Sequence, residues 1–364
     1  MRLSPLFLAG HAVAGQIALR DANASAVCQD YTIGVSVEHT TPESFQGRTY
    51  DIDVLYAFSR RQVLVSNEYN MSSRLCAPAP DTQSSDHEDT LQLLIHGATF
   101  DKTMWDLPYQ PENYSWVRRM NGEGYSTLAV DLIGNGNSTF PDGLLEAQTQ
   151  TYVENIHELV QKLRDGEVDG KQWKKIVLIG FSIGGIIANS LALQYPEDVD
   201  AIMLLGISWD ISWLYPAFLS GLQASAPQID PETWGHISPM YQTQSTPEGR
   251  KLACFYGNYD PEIIEVDWNT RNFDSLGAAI TLTYHLVSAP AYSRPVFLGI
   301  GEQDSTFCGG ENCRSQPYAV YDKFPNASSH DVKVYPETGH QILYHHSGQD
   351  LMADTLEFLK AHGF

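Results

Sequence analysis

Residues 175–194 read KIVLIGFSIGGIIANSLALQ, and this stretch decides the fold. It opens with an apolar, β-branched run of strand length and continues into a run that favours a helix. Between the two, residues 180–184 spell G-x-S-x-G around Ser182. Glycine permits a turn too sharp for other residues, so the serine is held at the top of a strand and in front of a helix. The pattern predicts that Ser182 is a nucleophile.

The helix after this turn directs its N-terminus toward the serine. The first amides of a helix have no partner within the helix, and the helix dipole favours negative charge there. We therefore expect the backbone amide of Ile183 to donate to an oxygen that becomes negative during a reaction at Ser182.

Short apolar runs alternate with helical patterns on both sides of this turn. The predicted strands cover residues 91–95, 126–130, 176–179, 201–205, 295–300 and 332–334. The clearest helices cover residues 154–163, 184–193 and 350–361. Uniformly apolar strands are typical of parallel sheets buried on both faces, so we predict an α/β fold with helices on both faces of a mostly parallel sheet. Upstream, residues 32–37 and 50–58 alternate apolar with polar residues, which predicts two antiparallel strands.

The alternation fails between residues 208 and 289, after the sixth predicted strand. We predict that residues 208–289 form an inserted cap over the carboxyl ends of the strands, in a core made of residues 28–207 and 290–364. Aromatic residues concentrate in the cap: Trp209, Trp213, Tyr215, Phe218, Trp234, Tyr241 and Trp268. They favour either a pocket for a small apolar or aromatic substrate, or simply the core of the cap itself.

A serine hydroxyl needs a base to take its proton, so a histidine must lie within hydrogen-bond reach. His340 is the best of the 12 histidines, because it follows the last predicted strand and precedes the terminal helix. His345 and His346 lie nearby, and we expect this pair in a partly exposed turn.

The base in turn needs a carboxylate to hold its productive tautomer. Asp304 follows the strand at residues 295–300 and is the favoured candidate, with Asp210 as the alternative. Asp131 ends an earlier strand and precedes the nucleophile, so we interpret it as a carboxylate that organises its loop.

Five stretches, in their order, resemble the α/β-hydrolase superfamily with a serine nucleophile, and more narrowly a group of secreted fungal members. They are LLIHGATFDKTMWD, LAVDLIGNGNS, GFSIGG, LGIGEQD and ETGH, within residues 91–364. The resemblance implies that the amide of Ala98 is a second oxyanion donor, and His96 is expected to be structural. Relatives often carry His where this chain has Phe181. Dehalogenases and epoxide hydrolases of the superfamily carry Asp in place of Ser182, which argues against their chemistry.

The N-terminus and the cysteines indicate secretion. Residues 1–18 resemble a signal peptide. Asparagine sequons for glycosylation occur at Asn23, Asn70, Asn113, Asn137 and Asn326. We predict the disulfides Cys28–Cys76 and Cys308–Cys313, which leave Cys254 as a buried thiol, although cysteine spacing alone does not determine connectivity.

The charge and motifs narrow the function. A net charge of -22 disfavours nucleic acid and anionic membrane surfaces, and no apolar run is long enough for a membrane span. Neither a dinucleotide glycine pattern nor metal-ligand spacing appears, so no cofactor or metal is implied.

We predict a secreted serine hydrolase of a carboxylic ester, lactone or thioester. The alternatives are acyl transfer, cyclisation or carbon-carbon cleavage in natural-product metabolism by the same three residues, or a secreted binding protein without catalysis. The oligomeric state stays open.

Overall fold

The computed structural model describes residues 26–42, 62–80, 87–310 and 312–364. The predicted signal peptide at residues 1–18, the sequon at Asn23 and the predicted strand at residues 50–58 lie outside the described residues.

An eight-stranded sheet forms the centre of the molecule. The described residues form eleven strands in two sheets, and in chain order they are β1 (Ala26–Pro42), β2 (Gln62–Pro78), β3 (Thr90–Ile95), β4 (Ser126–Val130), β5 (Lys175–Phe181), β6 (Ala201–Leu205), β7 (Gln223–Ser225), β8 (Tyr241–Gln244), β9 (Asp274–Ser275), β10 (Val296–Gly301) and β11 (His330–Tyr335). The large sheet has the order β1-β2-β4-β3-β5-β6-β10-β11. In this order, the six strands β4, β3, β5, β6, β10 and β11 run parallel, and β2 pairs antiparallel with both β1 and β4. The predicted α/β class with a mostly parallel sheet is confirmed.

Helices cover both faces of this sheet. In chain order, the helices of the described residues are α1 (Pro111–Tyr114), α2 (Trp116–Gly122), α3 (Thr149–Asp165), α4 (Ile183–Gln194), α5 (Leu214–Ser220), α6 (Ala226–Ile229), α7 (Pro231–Trp234), α8 (Pro247–Cys254), α9 (Ile263–Thr270), α10 (Leu276–Thr281), α11 (Val320–Lys323) and α12 (Ser347–Ala361). Successive strand side chains point to opposite faces, so Leu93 packs in one apolar layer with α3 and α4. Leu94 packs in the other layer, with α2 and α12.

The edge ribbon of β1 and β2 differs from the sequence prediction. Residues 32–37 lie within β1, but the partner strand is β2, which the sequence pattern did not reveal. Its core-facing positions include the buried Val65, Tyr69 and Met71, but exposed Asn67 breaks the alternation between them. Nδ2 of Asn67 donates to Glu146 at 3.1 Å, so the face that Asn67 shares with the core residues is open to solvent at this point and the period-2 signal is lost.

The order of the strands places the site. The chain passes from β3 to β4 on one side and then to β5 on the other side of β3, so the carboxyl ends of β3 and β5 border a crevice. Ligands of open α/β sheets bind at such a switch point. The loop after β3 and the turn after β5 therefore meet where Ser182 lies.

Residues 208–289 leave the large sheet after β6 and return before β10. They contain α5 to α10 and a small antiparallel sheet of β7, β8 and β9. The segment lies on loops at the carboxyl ends of the strands: the amide of Asn272 donates to the carbonyl of Thr99 at 2.8 Å, and the amide of Gln341 donates to the carbonyl of Cys254 at 2.9 Å. Within the described part of the chain, no helix combines the length and the apolar character that a membrane crossing needs.

Candidate active site

The turn between β5 and α4 has the geometry that its glycines allow. Ser182 has φ 54°, a left-handed conformation that is strained for a serine. A Cβ on Gly180 would lie 2.1 Å from the carbonyl oxygen of Gly184, and one on Gly184 would lie 2.4 Å from that of Ile95. The amide of Ser182 also donates to the carbonyl of Leu205 at 2.8 Å. Only glycine fits at both flanking positions, and the serine side chain is consequently held at the top of the sheet.

The structure brings Ser182, His340 and Asp304 together. Nε2 of His340 lies 2.9 Å from Oγ of Ser182, and Nδ1 of His340 lies 2.7 Å from Oδ2 of Asp304. Asp304 is fully buried, and its Oδ1 accepts from the amides of Thr306 and Phe307 at 2.8 and 2.9 Å. A carboxylate can only accept, so Nδ1 carries the proton and Nε2 is left as the acceptor for the serine hydroxyl.

The loop after Asp304 is closed by the predicted Cys308–Cys313 disulfide, which is confirmed. The amide of Cys308 donates to the carbonyl of Asp304 at 2.9 Å, so the bridged loop holds the backbone of the acid. The alternative acid, Asp210, instead accepts from the amide of Ser212 at 3.0 Å. The predicted Cys28–Cys76 disulfide is likewise confirmed, and it joins directly opposed residues of β1 and β2.

The sequence-based expectation for His345 was wrong: the side chain is fully buried, not in a partly exposed turn, whereas its neighbour at position 346 is exposed. Nε2 of His345 accepts from the amides of Gly339 and Tyr256, each at 3.2 Å, and Nδ1 donates to the carbonyl of Gln341 at 2.7 Å. Burial lowers the pKa of His345 to about 4, which keeps the ring neutral. This ring thus organises the loop that carries the candidate base.

His96 and Asp131 hold the loops after β3 and β4, as the sequence indicated. Nδ1 of His96 donates to the carbonyl of Gly97 at 2.8 Å, and its Nε2 accepts from the amide of Leu132 at 3.1 Å. Burial lowers the pKa of His96 and keeps it neutral. Asp131 accepts from both the amide and the ammonium of Lys102, at 2.8 and 2.6 Å. Both side chains are therefore engaged in holding these loops.

The two candidate oxyanion donors flank the serine. Ile183 is the first residue of α4, and Ala98 lies in the loop after β3 and lines the same cavity as Ser182. A Cβ on Gly97 would lie 2.6 Å from the Phe181 ring, so this loop is packed directly against the turn. Glycine at position 97 is what allows the backbone of the two elements to come this close.

A cavity of about 30 Å³ adjoins Ser182 and His340. Its apolar lining comprises Ala98, Phe100, Phe181, Ala217, Phe218, Ala253 and Cys254, and its polar lining Thr99, Gln223, Gln244 and Thr306. Of the aromatic residues in the predicted cap, Phe218 lines this cavity, whereas Tyr241 packs against Phe140 and Phe273. Burial raises the pKa of the Cys254 thiol to about 12, so this free cysteine stays protonated and is a poor nucleophile. Among the described residues, no three His, Cys, Asp or Glu side chains form a group that could hold a metal ion.

The sequence did not reveal the polar residues that residues 208–289 contribute to this cavity. Gln223 and Gln244 belong to short strands of the small sheet, and they carry no motif. The prediction of a substrate pocket in this segment rested on its aromatic residues instead.

A model of the alpha/beta hydrolase family matches residues 92–355. The chain belongs to this family. The curated relatives include epoxide hydrolase 3 of Xenopus tropicalis, 27% identical over 34% of this chain and 29% of the relative. An uncharacterized carboxylesterase of Bacillus subtilis is 30% identical over 31% of this chain and 32% of the relative. The matched segments thus span about a third of the length of these relatives.

Solved structures show the same fold. A thermophilic esterase from Thermogutta terrifontis superposes with a TM-score of 0.52 at 17% identity, covering 90% of this chain and 99% of the esterase. At this level of identity the similarity concerns the fold alone. The narrower resemblance to secreted fungal members stays a prediction.

Proposed function

We propose that this protein is a serine hydrolase that cleaves a carboxylic ester, lactone or thioester through an acyl-Ser182 intermediate. The observation that carries the proposal is the continuous hydrogen-bonded row from Asp304 through His340 to Ser182, with joining distances of 2.7 and 2.9 Å. The uncharacterized carboxylesterase of Bacillus subtilis among the similar sequences supports the ester class.

In the first half of the reaction, Oγ of Ser182 attacks the substrate carbonyl while its proton passes to Nε2 of His340. The carbonyl oxygen becomes negative, and the amides of Ala98 and Ile183 are the donors that stabilise it. Asp304 stabilises the imidazolium. The tetrahedral intermediate then collapses: the bond to the leaving oxygen or sulfur breaks, and the leaving group takes the proton from Nε2.

In the second half, a water molecule takes the place of the leaving group. His340 accepts a proton from this water, the hydroxide attacks the acyl carbonyl, and the same two amides stabilise the second oxyanion. The bond between the acyl carbon and Oγ breaks, Oγ regains the proton from His340, and the carboxylic acid is released.

Serine at the turn also separates this chain from epoxide chemistry. When an enzyme carboxylate opens an epoxide, the product is an ester, which water can cleave. When a serine hydroxyl opens an epoxide, the product would be an ether, which water at neutral pH does not cleave. The serine at position 182 therefore favours ester cleavage over the activity named for the Xenopus relative.

We further propose that the protein is secreted. Two disulfides favour an oxidising compartment. Three sequon asparagines, Asn70, Asn137 and Asn326, lie on the exposed surface of the described residues, where a glycosyltransferase could reach them. Expression with the native N-terminus, followed by recovery from the medium and mass analysis before and after deglycosylation, tests this part. Protein retained inside the cell without glycans would contradict it.

Covalent labelling tests the catalytic proposal. A fluorophosphonate should add once to the intact mass of the native protein, and Ser182→Ala should abolish the addition. A chromogenic ester series of increasing acyl length should then be hydrolysed by the native protein alone. Failure of the native protein to label would refute the proposal and favour a binding protein that keeps the fold without catalysis. Product analysis with an added alcohol separates hydrolysis from acyl transfer.

A further inference from the structure

The cavity beside Ser182 holds an amide group whose orientation is set by a buried arginine. We propose that Gln244 is a specificity residue that binds a hydrogen-bond acceptor, an ether, hydroxyl or keto oxygen, in the acyl chain of the substrate. This inference rests on the proposed acyl-Ser182 chemistry and names the class of ester that it serves.

Arg250 is the residue that orients this amide. Its side chain is about 1% exposed, and its Nε and Nη2 donate to the two carboxylate oxygens of Asp267 at 2.5 and 2.8 Å. Its Nη1 donates to Oε1 of Gln244 and to Oγ1 of Thr99, each at 2.9 Å. A guanidinium has donors and no acceptor, so the atom of Gln244 that faces it must be the amide oxygen. The two N–H groups of Gln244 consequently point away from Arg250.

No described residue accepts a hydrogen bond from Nε2 of Gln244. The residue is about 5% exposed, and it lines the cavity that also contains Ser182 and His340. Nε2 is not one of the fully buried unpartnered atoms, so it is reached from the cavity, and water or a ligand there must supply its acceptor. A substrate oxygen placed in this cavity would supply that acceptor.

Two neighbours strengthen the donor character of this wall. The hydroxyl of Thr99 accepts from Arg250, so its own hydrogen is available to a second acceptor. Thr99 also lies next to Ala98, one of the two candidate oxyanion donors. Gln223 lies directly opposite Gln244 in the β7–β8 pair, so both amides share one face of the small sheet, and Gln223 lines the same cavity.

The acyl group is the part of the substrate that this cavity must hold, because it stays bonded to Ser182 after the alcohol leaves. The cavity of about 30 Å³ favours a short acyl chain. The remaining lining is largely apolar, so an all-carbon chain packs there but leaves the Gln244 donors unpaired. A chain of equal length with one oxygen pairs them.

The test compares esters that differ only in replacement of one methylene by oxygen. The pairs are 4-nitrophenyl butanoate with methoxyacetate, and 4-nitrophenyl pentanoate with 3-methoxypropanoate. For each pair the ratio of kcat/KM, oxygen over carbon, is measured for the native protein, Gln244→Leu and Gln244→Glu. Intrinsic ester reactivity is the same for every protein, so a change in this ratio reports the enzyme contact. The glutamate is nearly isosteric, keeps an acceptor for Arg250 and lacks the N–H donors.

We expect the ratio for at least one pair to fall about five- to tenfold in both variants, the effect of one net hydrogen bond. The exposed substitution Gln29→Leu is the matched control, and it should leave the ratio unchanged. Labelling of Ser182 by fluorophosphonate verifies that each variant is folded; if the leucine variant does not label, the glutamate variant decides. Equal ratios in the native protein and in a labelled Gln244 variant would overturn the inference while leaving the hydrolase proposal intact. A native protein that neither labels nor cleaves any of the esters would overturn both.

Discussion

Replacement of Asp304 by asparagine would move the imidazole proton of His340 from one ring nitrogen to the other. It would keep the backbone hydrogen bonds that hold the side chain of residue 304. The amides of Thr306 and Phe307 donate to Oδ1 of Asp304, and the asparagine oxygen can accept both of these hydrogen bonds. The amide nitrogen of the new side chain must then face Nδ1 of His340. Because that nitrogen is a donor, Nδ1 becomes an acceptor and the imidazole proton moves to Nε2.

This tautomer cannot serve the proposed reaction. Nε2 lies 2.9 Å from Oγ of Ser182, and a protonated Nε2 donates to the serine where it should accept its proton. The same substitution in a well-studied serine protease lowers kcat by about 10⁴ for this reason. We expect a loss of about 10³ to 10⁴ in kcat at neutral pH for Asp304→Asn, equivalent to roughly 4 to 5.5 kcal/mol of activation free energy.

The assay is steady-state hydrolysis of a 4-nitrophenyl ester, with urea denaturation in parallel. The free energy of unfolding should change little, since both backbone hydrogen bonds to residue 304 are retained. Asp210→Asn is the matched control, and its kcat should lie within about twofold of the native value. A loss below tenfold for Asp304→Asn in a folded protein, or a larger loss for Asp210→Asn, would refute the assignment of the acid.

Three further outcomes follow from the structure. Burial raises the pKa of Asp274 to about 7, so the folded protein holds a proton that the unfolded chain releases near pH 4. The stabilisation from this proton is present below about pH 4 and is lost as the pH rises through 7. In the native protein this loss lowers the free energy of unfolding, measured with urea, between pH 4 and pH 8. Asp274→Asn should make that decrease smaller by at most about 4 kcal/mol. An identical pH profile for the two proteins would contradict this. His345→Leu leaves the amides of Gly339 and Tyr256 without their acceptor and should lower the free energy of unfolding by about 2 to 4 kcal/mol, whereas the exposed His346→Leu should change it by less than about 0.5 kcal/mol. Replacement of Cys308 and Cys313 by serine should reduce both kcat and, by about 2 kcal/mol, the free energy of unfolding; full activity would show that the loop does not hold Asp304.

The parallel core was predictable because its strands are buried on both faces. The predicted strands at residues 126–130 and 201–205 coincide with β4 and β6, since uniformly apolar runs between turn formers leave few alternatives. Ser182 was predictable for a second reason. Close contacts with neighbouring backbone atoms require glycine at positions 180 and 184, and this requirement is visible in the sequence as a pattern. His340 and Asp304 were placed by chain order relative to strands.

His345 shows where this reasoning ends. Two adjacent histidines close to the end of the sequence suggest an exposed turn by composition. One of them is nevertheless buried, because its ring nitrogen accepts hydrogen bonds from two backbone amides. Tyr256 lies 89 residues before His345 in the chain, and Gly339 lies six residues before it. Local periodicity carries no information about such a contact.

The specificity of the cavity depends on the same kind of contact. Gln244 alone is an ordinary polar residue of a short strand, and its amide could point either way. Its orientation follows from Arg250, whose guanidinium is itself held by Asp267, 17 residues along the chain. The buried ion pair of Arg250 and Asp267 thus decides which atoms of Gln244 face the substrate. Exchange of Arg250 for a residue whose side chain offers a hydrogen-bond acceptor would permit the Gln244 amide to turn and present its oxygen to the cavity. Substrate preference in this fold can therefore change through a residue that does not line the cavity.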